Sequence, residues 1–152
     1  NKKVFNVLEA VNSMLEIVNH NIKYNYININ IDVKEDTNLN VNGYRNEFMQ
    51  SFLNIINNAK DELLKIDIKN RNINILIYNE NKNVNIEIND NAGGINAKDI
   101  HKVFKAYFST KKDGHGIGLY MAKMIIKDKM NGKLSVKNLE DGASFKISLE
   151  NI

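Results

Sequence analysis

Apolar residues recur along this chain with two spacings, one helical and one extended. In the first twenty residues they lie three or four positions apart, which predicts an amphipathic helix. These positions are Val4, Leu8, Val11, Leu15 and Val18. From Tyr26 to Val33, Ile alternates with Asn or Asp, and this period of two predicts a strand. The chain therefore starts with a predicted helix that leads into a predicted strand.

The middle of the chain predicts a strand, a long helix and a hairpin. A strand near residues 39–41 ends at Asn42-Gly43, which is a turn signal, and the helix follows over residues 46–65. Residues 72–80 and 83–89 alternate Ile or Val with polar residues on either side of a short polar turn. This is the pattern of a β-hairpin.

The last third predicts a short helix over residues 97–104, a polar lid, a helix ending near Met130, and strands over 133–138 and 143–149. Helices placed between antiparallel strand pairs indicate an α/β fold of the α+β type. We therefore expect one domain over residues 1–152, a two-layer sandwich. Its mixed, mainly antiparallel sheet of about five strands would be covered on one face by about three helices.

Composition narrows the classes of function. The 152 residues are 43% hydrophobic and 26% charged, enough for one core without disulfide or metal staples. The chain has no cysteine and three scattered histidines, which argues against disulfides and a zinc site. Its net charge of +3 comes from dispersed lysines, so no nucleic acid-binding stripe is predicted. No apolar run is long enough to span a bilayer, and we expect a cytoplasmic domain without membrane contact.

The predicted long helix carries a row of short polar side chains beside its apolar stripe. The stripe is formed by Phe48, Phe52, Ile55, Ile56, Ala59 and Leu63. Asn54, Asn58 and Asp61 lie at i, i+4 and i+7 and therefore share one face. Magnesium keeps its waters and the substrate phosphates, so one amide oxygen, from Asn58, is a sufficient protein ligand. Alternatively, these are ordinary polar positions in a chain rich in Asn.

A carboxylate stands at the predicted end of the hairpin. Asp90 is followed by Ala92-Gly93-Gly94. Such a carboxylate can accept a hydrogen bond from an adenine amino group, and glycines let the backbone approach a flat base. The same residues also suit a plain tight turn with Asp as the turn former.

A glycine-rich segment, Gly114 to Leu119, opens the last predicted helix. Free backbone N–H groups and the positive end of the helix dipole would be available there to a polyphosphate. The segment does not follow a strand, so it lacks the context of a dinucleotide-binding fingerprint. Before it, Phe104, Tyr107 and Phe108 precede Ser109-Thr110-Lys111-Lys112. The aromatics suit a core contact as well as a ligand contact, and the lysines suit either phosphate or solvent.

The order of these segments resembles the N, G1, F and G2 boxes of histidine kinases in the GHKL superfamily. The matching segments are Asn54–Ala59, Asp90–Ile95, Phe104–Lys111 and Gly114–Leu119. The resemblance covers nearly the whole chain and implies a catalytic domain that binds ATP with Mg²⁺ under a lid. The chain departs from it at Ala92, where Gly is frequent, at Ala143, where Thr is frequent, and at Asp61-Glu62, where some kinases carry an aromatic residue.

The resemblance also implies residue roles. Asn58 would hold the magnesium ion, Asp90 would accept from the adenine amino group, and Lys111 would contact the γ-phosphate. Asn54 and Lys111 are the candidate catalytic residues. The positions expected to contact Mg-ATP are Asn54, Asn58, Asp61, Asp90, Ala92, Gly94, Ile95, Tyr107, Thr110, Lys111, Gly114, His115, Gly116, Ile117, Gly118 and Leu119.

Asn54 bears on the reaction itself. The ATP hydrolases of the superfamily resemble one another in carrying a Glu four residues before the magnesium Asn, where it can activate water. Here that position is Asn54, and an amide cannot take the proton. Transfer to a protein nucleophile is therefore favoured over hydrolysis. The alternatives are a GHKL ATPase, a serine-directed anti-sigma kinase, and a regulatory domain that binds nucleotide without catalysis.

The phosphoacceptor histidine of such a kinase is not recognised in this chain. In the family that histidine is usually followed by an acidic residue, whereas His20 precedes Asn21 and His101 precedes Lys102. His115 lies inside the glycine-rich segment. We therefore expect the acceptor on a separate dimerisation domain, a response regulator downstream, and a monomeric fragment. The parent protein would be either wholly cytoplasmic or anchored in the inner membrane.

Overall fold

The computed structural model describes residues 1–109 and 116–152. In chain order the elements are β1 (Lys3–Asn6), α1 (Val7–Tyr24), β2 (Ile27–Val33), β3 (Asn40–Gly43), α2 (Arg45–Leu64), β4 (Arg71–Glu80), β5 (Asn83–Asp90), α3 (Gly118–Met124) with a π-helical continuation (Ile125–Lys129), β6 (Lys133–Asn138) and β7 (Ala143–Glu150). No helix among the described residues combines the length and apolarity needed to cross a membrane.

The main sheet has five strands in the order β2-β4-β5-β7-β6. Strands β2 and β4 are parallel, and the other neighbours are antiparallel. Strand β5 is thus central, with β4 and β7 hydrogen-bonded on its two sides. The expected sandwich with a mixed, mainly antiparallel sheet is confirmed.

The alternation of Ile and Asn separates the two faces of this sheet. On β4, Ile73, Ile75 and Ile77 are buried whereas Asn74 between them is exposed. The apolar face packs against the helices, and every residue of the predicted apolar stripe of α2 is buried. Its members, Phe48, Phe52, Ile55, Ile56, Ala59 and Leu63, are each at most 1% exposed. Each large apolar side chain buried in this way contributes about 1.5–3 kcal/mol.

The prediction of a helix over the first twenty residues was wrong for its first turn. Residues Lys3–Asn6 form β1, which pairs with β3 in a separate two-stranded antiparallel sheet. The helix begins only at Val7, because the Asn6 side chain accepts a 3.0 Å hydrogen bond from the backbone N–H of Glu9 and caps the helix. Val4 is consequently 60% exposed and is not part of the helical stripe.

The predicted short helix over residues 97–104 was also wrong, since this stretch is a series of turns. The backbone N–H of Asp99 donates to Asn96 O at 2.8 Å, and that of Lys102 donates to Asp99 O at 2.8 Å. One i→i+4 hydrogen bond, from Ile100 N–H to Asn96 O at 3.1 Å, accompanies these i→i+3 bonds, but it does not continue into the ladder of an α-helix. The later helix ends near Met130 as predicted, although its last five residues are π-helical.

Candidate functional site

A cavity of about 460 Å³ lies between α2, the loop after β5 and the beginning of α3. This volume is in the range of small-molecule sites in proteins. Most predicted site residues in the described part of the chain line it. They are Asn54, Asn58, Asp90, Ala92, Gly94, Ile95, Gly116, Ile117, Gly118 and Leu119. The fold thus brings three motifs that are distant in sequence to one cavity.

Two other predicted site residues are placed elsewhere. The carboxylate of Asp61 lies 3.8 Å from Lys60 Nζ and does not line the cavity. Tyr107 is 81% exposed and does not line it either. The remaining predicted positions fall outside the described residues, and their roles stay predictions. They are Thr110, Lys111, Gly114 and His115.

Helix α2 presents Glu62 to the cavity, where the sequence prediction named Asp61. Asn54, Asn58 and Glu62 follow the i, i+4, i+8 ridge of the helix, and Asn57 lies beside them. Continuing the spacing of Asn54 and Asn58 by one more step along the ridge would have found Glu62. Its carboxylate Oε1 also lies 3.1 Å from Lys65 Nζ.

Further lining residues were not predicted as nucleotide contacts, although Phe108 and Ser109 lie in the segment Phe104–Lys111 that resembles the F box. These further residues are Asn96, Asp99, Val103, Phe108, Ser109, Ala143 and Phe145. Phe145 of β7 meets Phe104 edge-on, with ring centroids 5.9 Å apart. These two rings are distant in sequence, since Phe145 lies on β7 and Phe104 lies in the turns that follow the loop after β5. A local pattern cannot reveal such a contact.

The orientation of the Asn54 amide is set by its own helix. Gln50 Nε2 donates a 2.9 Å hydrogen bond to Asn54 Oδ1. The amide oxygen is therefore engaged along α2, and no acceptor for the Nδ2 group lies among the described residues. An amide held in this way offers a hydrogen-bond donor to the cavity and no proton acceptor of carboxylate strength.

Asp90 is a buried carboxylate at the end of the central strand. It is 5% exposed, and its Oδ1 accepts from the backbone N–H of Ala92 at 3.0 Å and of Ala143 at 3.3 Å. Among the described residues, no donor is recorded for Oδ2. Burial raises the pKa of Asp90 and the nearby carboxylates of Glu62 and Asp141 add to this, while the two backbone hydrogen bonds lower it. A buried acceptor with one free oxygen is suited to a ligand N–H group.

The loop after Asp90 turns at glycines and is met closely by the β6–β7 connection. Gly94 has φ +85°, whereas Ala92 is not among the residues with positive φ. The departure at Ala92 therefore costs no backbone strain. A Cβ on Gly142 would lie 1.8 Å from Asp90 O. Only glycine allows the two backbones to approach this closely.

The beginning of α3 supplies backbone donors at the other side of the cavity. The residue before this helix, Ile117, makes no side-chain cap hydrogen bond, so its own side chain leaves the first N–H groups of the helix available. Ile117 and Gly118 both line the cavity. Such a helix start suits phosphate oxygens.

The donor set fits magnesium only in company with a phosphate ligand. Among the described residues, no three or more His, Asp or Glu side chains cluster in a way that could hold a metal ion. The cavity offers instead the amides of Asn57 and Asn58. Magnesium bound through one or two protein oxygens, with phosphates and waters completing its shell, matches this arrangement.

Comparisons with known proteins identify the family. The profile of the family described as histidine kinase-, DNA gyrase B-, and HSP90-like ATPase matches residues 43–151. Sporulation kinase A of Bacillus subtilis (strain 168) is 24% identical over 147 residues, which are 97% of this chain and 23% of that protein. Two-component sensor PprA of Pseudomonas aeruginosa is 27% identical over 114 residues, or 72% of this chain and 12% of that protein. The chain thus spans less than a quarter of the length of either relative.

Solved structures show the same fold. The catalytic domain of histidine kinase ThkA matches with a TM-score of 0.86 at 23% identity, over 99% of this chain and 96% of that chain. The mycobacterial sensor histidine kinase MprB matches with a TM-score of 0.81 at 21% identity, over 100% of both chains. ThkA in complex with the response regulator TrrA matches with a TM-score of 0.82 at 22% identity, over 99% of this chain and 42% of that chain. The chain belongs to the histidine kinase-, DNA gyrase B- and HSP90-like ATPase family and has the fold of the catalytic domains of sensor histidine kinases.

Proposed function

We propose that this domain binds ATP with Mg²⁺ and transfers the γ-phosphoryl group to a histidine on a separate dimerisation domain, within two-component signal transduction. The supporting observation is the cavity that joins the amides of α2, the buried carboxylate of Asp90 and the uncapped start of α3. The amides of α2 suit a magnesium ion bound to the phosphates, Asp90 suits the amino group of the base, and the start of α3 suits the phosphate oxygens of the same nucleotide.

The base end of the site is assigned to Asp90. Burial raises its pKa, and its Oδ2 can accept a hydrogen bond because the two backbone N–H donors are both bound to Oδ1. An adenine amino group is a donor of the required kind. Ala92, Gly94 and Ile95 line the same part of the cavity and leave the room that a flat base requires.

The phosphate end is assigned to α2 and to the start of α3. Asn58 would hold the magnesium ion, with Asn57 beside it, and the backbone N–H groups of Ile117 and Gly118 would donate hydrogen bonds to phosphate oxygens. Bound Mg²⁺ supplies neutralisation of the phosphate charge. Thr110 and Lys111, from outside the described residues, would complete the phosphate contacts. Positioning and charge stabilisation are the main means by which protein groups accelerate phosphoryl transfer.

Transfer is favoured over hydrolysis by the Asn54 side chain. Position 54 carries an amide, whose oxygen accepts a 2.9 Å hydrogen bond from Gln50 Nε2. No carboxylate is therefore present at this position to activate water. On α2 the lining carboxylate is Glu62, which lies about 12 Å further along the helix axis and beside Lys65. The lack of a general base typically costs about 10²–10⁴-fold in rate, whereas an imidazole acceptor brings its own nucleophilic nitrogen.

The phosphoacceptor histidine is proposed to lie on another domain. His20 and His101 are both exposed, and neither is followed by an acidic residue. A dimerisation domain bearing the histidine and a response regulator as the next recipient are therefore proposed as partners. The relative ThkA has been solved in complex with a response regulator. The catalytic domain itself is proposed to be monomeric and to work in the cytoplasm.

The test mixes this domain with labelled ATP, Mg²⁺ and the histidine-bearing helical segment of its parent kinase. We expect acid-labile, base-stable phosphate on that segment, and its loss in Asn58→Ala because the magnesium ligand is removed. Asn79→Ala, on the hairpin remote from the cavity, serves as the control and should retain transfer. Acid-stable phosphoserine on another protein, or rapid release of free phosphate without transfer, would contradict the histidine kinase assignment.

A further inference from the structure

The side chain of Asn138, the last residue of β6, holds a single backbone position of the loop after β5. Its Oδ1 accepts a 2.8 Å hydrogen bond from the N–H of Ile95, and its Nδ2 donates a 2.8 Å hydrogen bond to Ile95 O. Both polar groups of the amide are therefore used on the same residue. Ile95 in turn lines the cavity, whereas Asn138 does not.

The Asn138–Ile95 pair is one of several contacts between this loop and the chain from the end of β6 to the start of β7. The backbone N–H of Gly93 donates to Asp141 O at 2.9 Å, and that of Ala143 donates to Asp90 Oδ1 at 3.3 Å. The connection follows the loop from Asp90 to Ile95. Asn138, at the end of β6, supplies the last of these contacts, and it does so through its side chain.

The loop backbone approaches Asn138 so closely that an added Cβ at Gly94 would push its neighbours away by a few tenths of an ångström. A Cβ on Gly94 would lie 3.1 Å from Asn138 Oδ1 and 3.3 Å from Gly142 O. Gly94 also has φ +85°, a conformation that favours glycine. Asn138 therefore supports the underside of a loop whose Ala92, Gly94 and Ile95 line the cavity.

The chemistry of the contact requires a primary amide. Asparagine offers one acceptor and one donor side by side, which match the N–H and C=O of one residue. Aspartate would keep the acceptor for Ile95 N–H but would place a second negative oxygen against Ile95 O. Serine has one polar atom and a shorter reach, and alanine has neither group.

We propose that Asn138 is a positioning residue for nucleotide binding. It fixes the loop Asn91–Asn96 so that the base fits beside Asp90, and it contributes to binding of the nucleoside part of the ligand rather than of the phosphates. This inference rests on the proposed function, because it takes the loop to be the base-binding part of the site.

Calorimetry with two probes tests this role. Asn138→Ala should bind Mg-ADP roughly tenfold more weakly than the wild type, since two hydrogen bonds that order the loop are lost. Asn138→Asp should be weaker still, and Asn138→Ser should lie between Asn138→Ala and the wild type. Inorganic tripolyphosphate, which lacks a base, should bind all four proteins with the same affinity.

The matched control is Asn79→Ala, at the opposite end of the sheet. Asn79 Nδ2 also donates to backbone oxygens, those of Asn38 and Asn83, so its loss should lower thermal stability without changing Mg-ADP affinity. Equal Mg-ADP affinity in Asn138→Ala and wild type would overturn the inference, as would an equal loss in Asn79→Ala. Failure of the wild type to bind Mg-ADP would instead overturn the proposed function together with this inference.

Discussion

The two ends of the five-stranded sheet are both secured by asparagine side chains, but with different results. At the end remote from the cavity, Asn38, Asn79 and Asn151 form a distal amide cluster. Asn79 Oδ1 accepts from Asn38 N–H at 2.6 Å, and Asn79 Nδ2 donates to Asn151 Oδ1 at 2.8 Å. Asn151 Nδ2 donates to Asn38 O and Asn40 O. These amides bond to one another and to the adjacent backbone.

At the cavity end the polar groups brace a backbone and leave acceptors for a ligand. Asn138 spends both polar groups on Ile95, and Asp90 keeps Oδ2 without a donor among the described residues while burial raises its pKa. The comparison teaches that the abundant asparagines join chain segments at both ends. The binding chemistry is concentrated in a carboxylate whose burial opposes folding.

Asp90→Asn, at the cavity end of the sheet, should have the largest effect on nucleotide binding. The charged acceptor for the base is lost, so we expect Mg-ADP affinity to fall by about 100-fold or more. Above the raised pKa of Asp90, where the wild-type carboxylate is ionised, the same variant should melt at a higher temperature than the wild type, because burial of the ionised carboxylate disfavours folding. As the pH falls through that pKa the wild type becomes protonated, and the difference in melting temperature should narrow.

Calorimetry with Mg-ADP and melting curves across the acidic range measure both effects of Asp90→Asn. Asp32→Asn is the control, because the Asp32 side chain is 70% exposed and lies 3.7 Å from Lys34 Nζ at the surface. It should change neither affinity nor the pH dependence of melting. Unchanged Mg-ADP affinity in Asp90→Asn would remove the base assignment.

Gly142→Ala should damage the cavity end through packing alone. Its Cβ would lie 1.8 Å from Asp90 O, so either the loop or the β6–β7 connection must shift. We expect a loss of about 3 kcal/mol in the free energy of unfolding together with weaker Mg-ADP binding. Denaturant titration and calorimetry would measure the two changes.

The matched glycine is Gly118, where an added Cβ meets no atom of the described residues within 4 Å. Gly118 is the first residue of α3, so Gly118→Ala should be neutral or should stabilise the protein by up to about 1 kcal/mol. Equal stability of Gly142→Ala and Gly118→Ala would show that the close approach at Asp90 does not constrain the loop.

Asn151→Ala should have the smallest effect and should be confined to the distal amide cluster. Three hydrogen bonds of its side chain are lost at an exposed position, for which we expect about 1–2 kcal/mol in the free energy of unfolding. Mg-ADP affinity should stay at the wild-type value. A loss of affinity here would mean that the two ends are coupled, and the comparison would fail.

Regular periodicity made most of the fold predictable. The alternation on β4 and β5 and the apolar stripe of α2 each depend on one face being buried, which sequence reports directly. The helix prediction was wrong for the first turn because Val4 continues the helical spacing of apolar residues, whereas its backbone pairs with Asn42 of β3. Pairing between distant segments leaves no periodic signal in either of them.

The lining of the cavity was predictable where several residues of one motif lie together, as at Asp90 and Gly94. Glu62 was missed because helix spacing alone does not show where the cavity ends. Asn138 was missed because its partner Ile95 lies 43 positions away, and no local pattern links an amide to a backbone at that distance. In a chain rich in asparagine, only the folded geometry distinguishes this amide from the others.

Asp90 ends β5, the central strand, whose neighbours β4 and β7 hold it on both sides. Amides in such a strand are expected to be among the last to exchange with deuterium, because their exposure requires most of the sheet to open. Helix α3, by contrast, has seven residues before its π-helical continuation. The contacts proposed between the start of α3 and the phosphates would therefore open before the contact proposed between Asp90 and the base.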